Sequence, residues 1–204
     1  MNKLKDKIVL ITGAGKGSGR ILAQAFAEQG AIIAANDVSP VNVEEVVEQI
    51  HARGRRAKAY IDDIAKKVAV QNIINQVEDE LGPIEILINH AAVEPDIPVL
   101  EMDEWDWHRT LDVNLTGAFL MTQSMGRVMR LRGAGAILNL ITEPNVEDSS
   151  KAAFIASMRG LDAFTHQAAR EFSPYGIQVS AVENVQEKIV ETVFDLLDLQ
   201  MEER

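Results

Sequence analysis

The sequence predicts an α/β fold, a doubly wound parallel sheet with helices on both faces. Short apolar, β-branched runs of strand length alternate with longer helical patterns along the chain. Alternating strand–helix units of this kind close into a parallel sheet through right-handed crossovers. The strand runs are mostly continuous in apolar residues, as expected of strands buried on both faces. A glycine-rich segment stands between the first run and the first helical pattern, so the first strand turns directly into a helix.

The elements follow in order. Strand 7–12 leads through Thr12-Gly13-Ala14-Gly15-Lys16-Gly17-Ser18-Gly19 into a helix near 18–29. Strand 31–36 is followed by a helix near 41–53, and strand 57–61 by one near 67–81. Strand 84–89 precedes a long helix over 103–131, and strand 136–141 precedes another over 150–173. Strand 177–182 leads to a last helix near 186–200, whose apolar residues at 189, 190, 193, 194, 196 and 197 mark one buried face. No repeat, low-complexity tract or linker interrupts the pattern, so residues 1–204 are expected to form a single domain.

Composition narrows the function classes. The chain has 204 residues, 47% hydrophobic and 25% charged, as an ordinary globular protein does. A net charge of −11 argues against nucleic acid or an anionic membrane as the main partner. The basic cluster Arg53-Gly54-Arg55-Arg56 reads as the solvated end of a helix. Cysteine is absent, which excludes disulfides and thiol catalysis and suits a reducing compartment. The apolar run 8–11 is too short for a secretory core or a membrane span, and a cytoplasmic protein is expected.

The glycine segment carries the first chemistry. A strand–loop–helix unit leaves backbone N–H groups unpaired at the positive helix end, where a diphosphate can sit. Glycines are needed because a Cβ would block that approach or strain the turn. Gly13, Gly15, Gly17 and Gly19, with Lys16 and Ser18, are therefore the candidate phosphate cradle. Asp37, at the end of the second strand, is placed to accept from adenosine ribose hydroxyls and to repel a 2′-phosphate, which favours NAD over NADP. Lys16 pulls the other way, since a cation could meet that phosphate. The bland reading of Asp37 is a helix-entry or turn residue.

The pattern Thr-Gly-x-x-x-Gly-x-Gly at 12–19 resembles the glycine motif of the short-chain dehydrogenase/reductase family. Further stations follow in the family's order. Asp63 and Ile64 resemble the site that touches adenine, and Asn89-His90-Ala91-Ala92 resembles the Asn-Asn-Ala-Gly segment, with Asn89 and Ala91 as cofactor contacts. Trp107-His108-Arg109-Thr110-Leu111-Asp112-Val113-Asn114 resembles the helix that carries the active-site asparagine. The resemblance runs from about residue 5 to 182 and implies a Rossmann-like fold and a nicotinamide dinucleotide cofactor. Bland roles stand beside these. Asp63 could cap a turn, Asn89 could satisfy loop backbone, and Asn114 could bond to backbone within its own helix.

In the family a tyrosine gives the proton while hydride moves, and a lysine one helical turn later lowers its pKa. Thr142 falls on the position of the family's serine and keeps a hydroxyl. Phe154 and Met158 stand where the tyrosine and lysine are expected, and both suit a packed helix face. The match at Ala168-Ala169-Arg170-Glu171-Phe172 fixes the register. Neither remaining tyrosine, Tyr60 or Tyr175, has a lysine four residues later. Lys151 and His90 are the weak stand-ins. His51, His108 and His166 read as helix residues with no partner evident, and no metal-ligand spacing is present.

After the sixth strand Asn184 and Val185 occupy the family's Pro-Gly position and a helix follows directly. The substrate lid and a seventh strand are therefore expected to be missing. The leading reading is an NAD-binding, catalytically impaired family member, a sensor or an inactive subunit. It would be a homodimer, a homotetramer or a hetero-assembly with an active relative, because in the family the helices near 103–131 and 150–173 pair across a dimer interface. One alternative is an active NAD(H)-dependent oxidoreductase for an alcohol or carbonyl substrate, using Thr142, Asn114 and a water or His90. The other is a structural or interaction protein with an empty cleft.

Overall fold

The structure is a computed structural model, in which residues 4–143 and 150–197 are described. Strands β1 (Ile8–Thr12), β2 (Ile32–Asp37), β3 (Arg56–Ile61), β4 (Ile84–Asn89), β5 (Gly135–Ile141) and β6 (Ile177–Glu183) form one six-stranded sheet in the order β3-β2-β1-β4-β5-β6. Every neighbouring pair is parallel. Helices α1 (Gly17–Glu28), α2 (Pro40–Ala52), α3 (Lys67–Glu80), α4 (Glu104–Leu111), α5 (Ala118–Arg132), α6 (Ala152–Phe172) and α7 (Ile189–Leu196) flank it. Each predicted strand is present, and the doubly wound α/β architecture is the observed one.

The central strands hold because both faces are covered, whereas the edge strand β3 leaves Arg56, Lys58 and Ile61 exposed. All of β1 is buried. On one face α1, α2 and α7 pack Leu22, Phe26, Val46, Ile50, Val193 and Phe194 onto the sheet. The Phe26 and Phe194 rings meet edge to face, 5.0 Å apart. On the other face α3, α5 and α6 contribute Val70, Ile73, Met121, Met125 and Ala168. A smaller cluster near the cleft joins Ala118, Ile141, Phe154, Met158 and Leu161.

Two helical expectations change. The long helix over 103–131 is α4, then a π-helical stretch Asp112–Gly117, then α5. The last helix begins at Ile189 rather than near 186, because residues 184–188 are spent on turns. Val185 N donates to Glu183 O at 3.1 Å and Lys188 N to Val185 O at 2.9 Å. Positions 198–200 of that expected helix lie outside the described residues. Residues 184–188 alone join β6 to α7, with no lid-length segment between them. None of the described helices is long and apolar enough to cross a membrane.

Strand order reverses between β1 and β4, which are neighbours in the sheet. Their following loops leave in opposite directions and open a crevice at the carboxyl ends of the strands, where ligands of such sheets bind.

Candidate functional site

The crevice is tied together at Thr12. Its Oγ1 accepts from His90 N at 3.1 Å and Ala91 N at 3.2 Å, locking the loop after β1 to the loop after β4. Gly13 has φ +65°, and a Cβ there would lie 2.7 Å from Ala91 Cα. Only glycine fits that backbone-to-backbone approach. A Cβ at Gly19 would lie 2.4 Å from Gly13 O. At Gly15 it would lie 2.7 Å from Asp37 Oδ2, which instead accepts from Gly15 N at 3.0 Å. Helix α1 opens at Gly17 with no side-chain cap and no acid in its first turn. Its first N–H groups and positive end thus face the crevice uncompensated. A cradle that a Cβ at Gly13, Gly15 or Gly19 would crowd, at an uncapped helix start, fits a dinucleotide diphosphate.

On the adenosine side lies a hollow of about 170 Å3 lined by Asp37, Ser39, Asp62, Asp63, Ile64 and Ala91, among others. Asp37 Oδ1 accepts from Ser39 N at 2.9 Å. Each carboxylate oxygen keeps a second lone pair for a ribose hydroxyl. Asp63 reaches the hollow too, but its Oδ2 is held by Arg109 Nη1 at 3.2 Å and its Oδ1 by Ala65 N at 3.1 Å. Sequence reasoning missed Arg109, which lines both hollows of the crevice. The available signal was its spacing on the helix, one turn before Val113 of the same wall. Ile64 is buried, and its side chain packs at Gly117 in the π-helical stretch.

Asn89 is not brought to the crevice by its side chain. It is 3% exposed and lies within the sheet, Nδ2 donating to Asn139 Oδ1 at 2.8 Å and Thr122 Oγ1 at 3.2 Å. The chain of bonds continues from Asn139 Nδ2 to Thr165 Oγ1 at 2.8 Å, and from Thr165 to Leu161 O at 2.6 Å. The reason is register: Asn89 and Asn139 are direct partners across β4 and β5.

Beyond the glycine loop a larger cavity of about 740 Å3 is lined by Ser18, His90, Trp105, Arg109, Thr142 and Phe154, among others. His90 Nδ1 lies 3.0 Å from Gly13 O. A carbonyl only accepts, so Nδ1 carries the proton and Nε2 keeps a lone pair. Burial holds this imidazole below the usual histidine range, although the bond to Gly13 and the Asp37 carboxylate oppose the shift.

Asn114 sits in the π-helical stretch, but its amide does not bond within its own helix. Val93 N donates to its Oδ1 at 2.8 Å, and its Nδ2 donates to Val93 O at 2.9 Å and Ser157 Oγ at 3.0 Å. It therefore pins the loop after β4 to α6. Thr142 reaches the cavity, and its Oγ1 accepts from Asn184 Nδ2 at 2.9 Å. Phe154 and Met158 are 2% and 3% exposed, packed in the small apolar cluster. Lys151 is turned to Glu94 at 3.5 Å and Asp96 at 3.9 Å.

The other histidines do have partners, contrary to expectation. His51 Nε2 lies 2.9 Å from Ala57 O, His108 lies 3.3 Å from Glu104, and His166 lies 3.5 Å from Asp162. The first meets β3 and the others meet an acid one helical turn back, which ordinary helix spacing permits. The basic cluster is likewise paired, Arg53 and Arg55 with Glu28 and Arg56 with Asp6. No cluster of three or more potential metal ligands occurs among the described residues.

Sheet order, glycine cradle and crevice together define a protein of Rossmann-like fold. The family model for short chain dehydrogenase matches residues 7–192, and the chain belongs to the short-chain dehydrogenase/reductase family. It is 33% identical over 179 residues to the (2S)-[(R)-hydroxy(phenyl)methyl]succinyl-CoA dehydrogenase subunit BbsD of Thauera aromatica, covering 88% of this chain and 72% of that one. A solved NAD+-bound xylitol dehydrogenase superposes with a TM-score of 0.84 at 31% identity, covering 89% of this chain and 70% of the other. A metagenomic short-chain oxidoreductase in complex with NADP gives 0.88 at 25% identity, covering 97% and 93%. The family binds nicotinamide dinucleotides, and these two neighbours hold one of each kind.

Proposed function

We propose that the chain acts as a single dinucleotide-binding domain that holds NAD(H) in preference to NADP(H), with hydride transfer severely impaired. The observation that carries this reading is the pair Phe154 and Met158, packed at 2% and 3% exposure among Ala118, Ile141 and Leu161, with Phe154 at the wall of the larger cavity. A bound nicotinamide supplies the carbon that gives or takes hydride. The protein must then hold or move a proton at the substrate oxygen, and a phenyl ring and a thioether do neither. Loss of a general acid removes about 10²–10⁴ in rate. Two of the groups offered as substitutes are otherwise engaged. Asn114 spends its amide on Val93 and Ser157, and Lys151 faces Glu94.

The preference for NAD is supported by Asp37, which would meet a 2′-phosphate with like charge, while Lys16 is exposed. Assembly through α5 and α6, as a homodimer or homotetramer or with an active relative, is supported by Phe119 and Ile155, large apolar residues exposed on those helices. A cysteine-free composition suits work in the cytoplasm.

The test is titration of NADH and NADPH by fluorescence, with a panel of alcohols and ketones assayed at 340 nm. Saturable binding, tighter for NADH, without turnover is the expected result. Steady turnover at rates usual for an enzyme would overturn the impairment. Absence of binding at millimolar cofactor would overturn the dinucleotide reading and leave a structural or interaction role.

A further inference from the structure

The His90 ring lies against the glycine cradle. Its Nδ1 stands 2.5 Å from where a Cβ at Gly19 would be and 3.0 Å from one at Gly13. Its Nε2 stands 3.8 Å from one at Gly17. His90 lines both the smaller hollow and the larger cavity, so it sits between them. Nδ1 is committed to the Gly13 carbonyl. Among the described residues no polar atom partners Nε2.

We propose that His90 is a proton-linked contact for the dinucleotide diphosphate, which draws a proton onto Nε2 so that cofactor affinity rises as pH falls. The proposal rests on the dinucleotide reading above. A neutral ring points a lone pair at the phosphate oxygens and repels them. A protonated ring donates from both nitrogens, to Gly13 O and to the anion, and charge-assisted bonds of this kind are the stronger ones.

The charged groups facing the ring are Lys16 from the glycine loop and Asp37 from the end of β2. Glu94, Asp106 and Arg109 face the larger cavity from the β4–α4 segment and α4. Histidine alone among these residue types has an ordinary pKa between pH 5 and 8. In the free protein burial favours the neutral ring, with Lys16 acting in the same direction and the backbone at Gly13 and Thr12 and the Asp37 carboxylate opposing. A diphosphate beside Nε2 adds negative charge and raises the pKa in the complex above that in the free protein. Binding between those two values takes up a proton. The added affinity is full below the free-protein pKa and is lost as pH rises through that of the complex.

The experiment uses the whole chain with NADH and with ADP-ribose, which carries the diphosphate but no nicotinamide. Affinity is measured from pH 5.5 to 8.5, and calorimetry near neutrality in buffers of different ionisation enthalpy counts protons. Both probes are expected to bind more tightly as pH falls, by up to about tenfold per pH unit at the steepest point, with net proton uptake. His90→Asn keeps a donor for Gly13 O and removes Nε2. It should bind both probes with a flat pH profile and no uptake. A flat profile in the wild-type chain, or the same slope in His90→Asn, overturns the role of His90 while leaving the cofactor reading standing. No binding of NADH at any pH overturns the cofactor reading and the role of His90 together.

Discussion

Phe154 and Met158 are alike in burial but not in what a polar replacement would meet. The Phe154 ring lines the cavity, so the hydroxyl of Phe154→Tyr can reach solvent and should cost about 1 kcal/mol. Met158 lies within the apolar cluster, and an unpaired ammonium in Met158→Lys should cost about 3–5 kcal/mol. Urea melts of the two single variants test this order, and equal midpoints would show that position 158 opens to the cleft. Gly13 makes the opposite case, a position where adding one carbon is intolerable. Gly13→Ala places a Cβ in left-handed backbone and against Ala91 Cα, so it should lose at least about 1–2 kcal/mol and all NADH binding. Retained NADH affinity in a folded Gly13→Ala protein would refute the cradle. Both positions were legible from residue type and spacing, because a glycine for close approach and a missing hydroxyl are properties of one side chain. Asn89 was not. Its orientation depends on Asn139, fifty positions away in sequence but its direct neighbour in the sheet.

At the scale of elements, the strands were legible nearly to the residue, since burial on both faces writes β1, β2, β4 and β5 as nearly continuous apolar runs, whereas the edge strand β3 exposes Arg56, Lys58 and Ile61. The helices were legible in place but not in kind. Nothing in Asp112-Val113-Asn114-Leu115-Thr116-Gly117 breaks helix, and the π-helical stretch coincides with the contact of Asn114 to Val93, which no local pattern encodes. Such insertions mark functional sites more often than chance, and here the stretch holds the wall of the crevice. The ladder of Asn89, Asn139, Thr165 and Leu161 O runs from β4 through β5 into α6 as directed donors and acceptors, and stops at Asn89 Oδ1, which has no partner among the described residues. Asn139→Ala removes the middle of this chain, stranding a donor on one side and an acceptor on the other. It should destabilise by about 2–3 kcal/mol. Asn89→Ala removes an end that is already half unsatisfied and should cost less. Thermal melts of the pair check the order, and the reverse ranking would place the weight of the network on Thr122 instead.

Across the whole molecule, the two halves of the crevice belong to different parts of the sheet. The cradle and Asp37 stand on β1 and β2, whereas Thr142 and Phe154 stand beyond β5 and at the start of α6. A dinucleotide touching both joins them, and that joint is separable from chemistry. The first half keeps every feature that binds: positive-φ glycine, uncapped helix start and a carboxylate with spare lone pairs. The second half sets Thr142 and Phe154 on the larger cavity, and a phenyl ring gives no proton. Ligand binding to the folded state alone stabilises by RT ln(1 + [L]/Kd), about 2.7 kcal/mol at a hundredfold excess over Kd. For a chain of this size that corresponds to roughly 5–10 °C in melting temperature. NADH should therefore raise the melting temperature by that amount in the wild-type chain, by as much in Phe154→Tyr, and not at all in Gly13→Ala. A shift that survives in Gly13→Ala, or that vanishes in Phe154→Tyr, would mean that the apolar cluster and not the cradle governs binding.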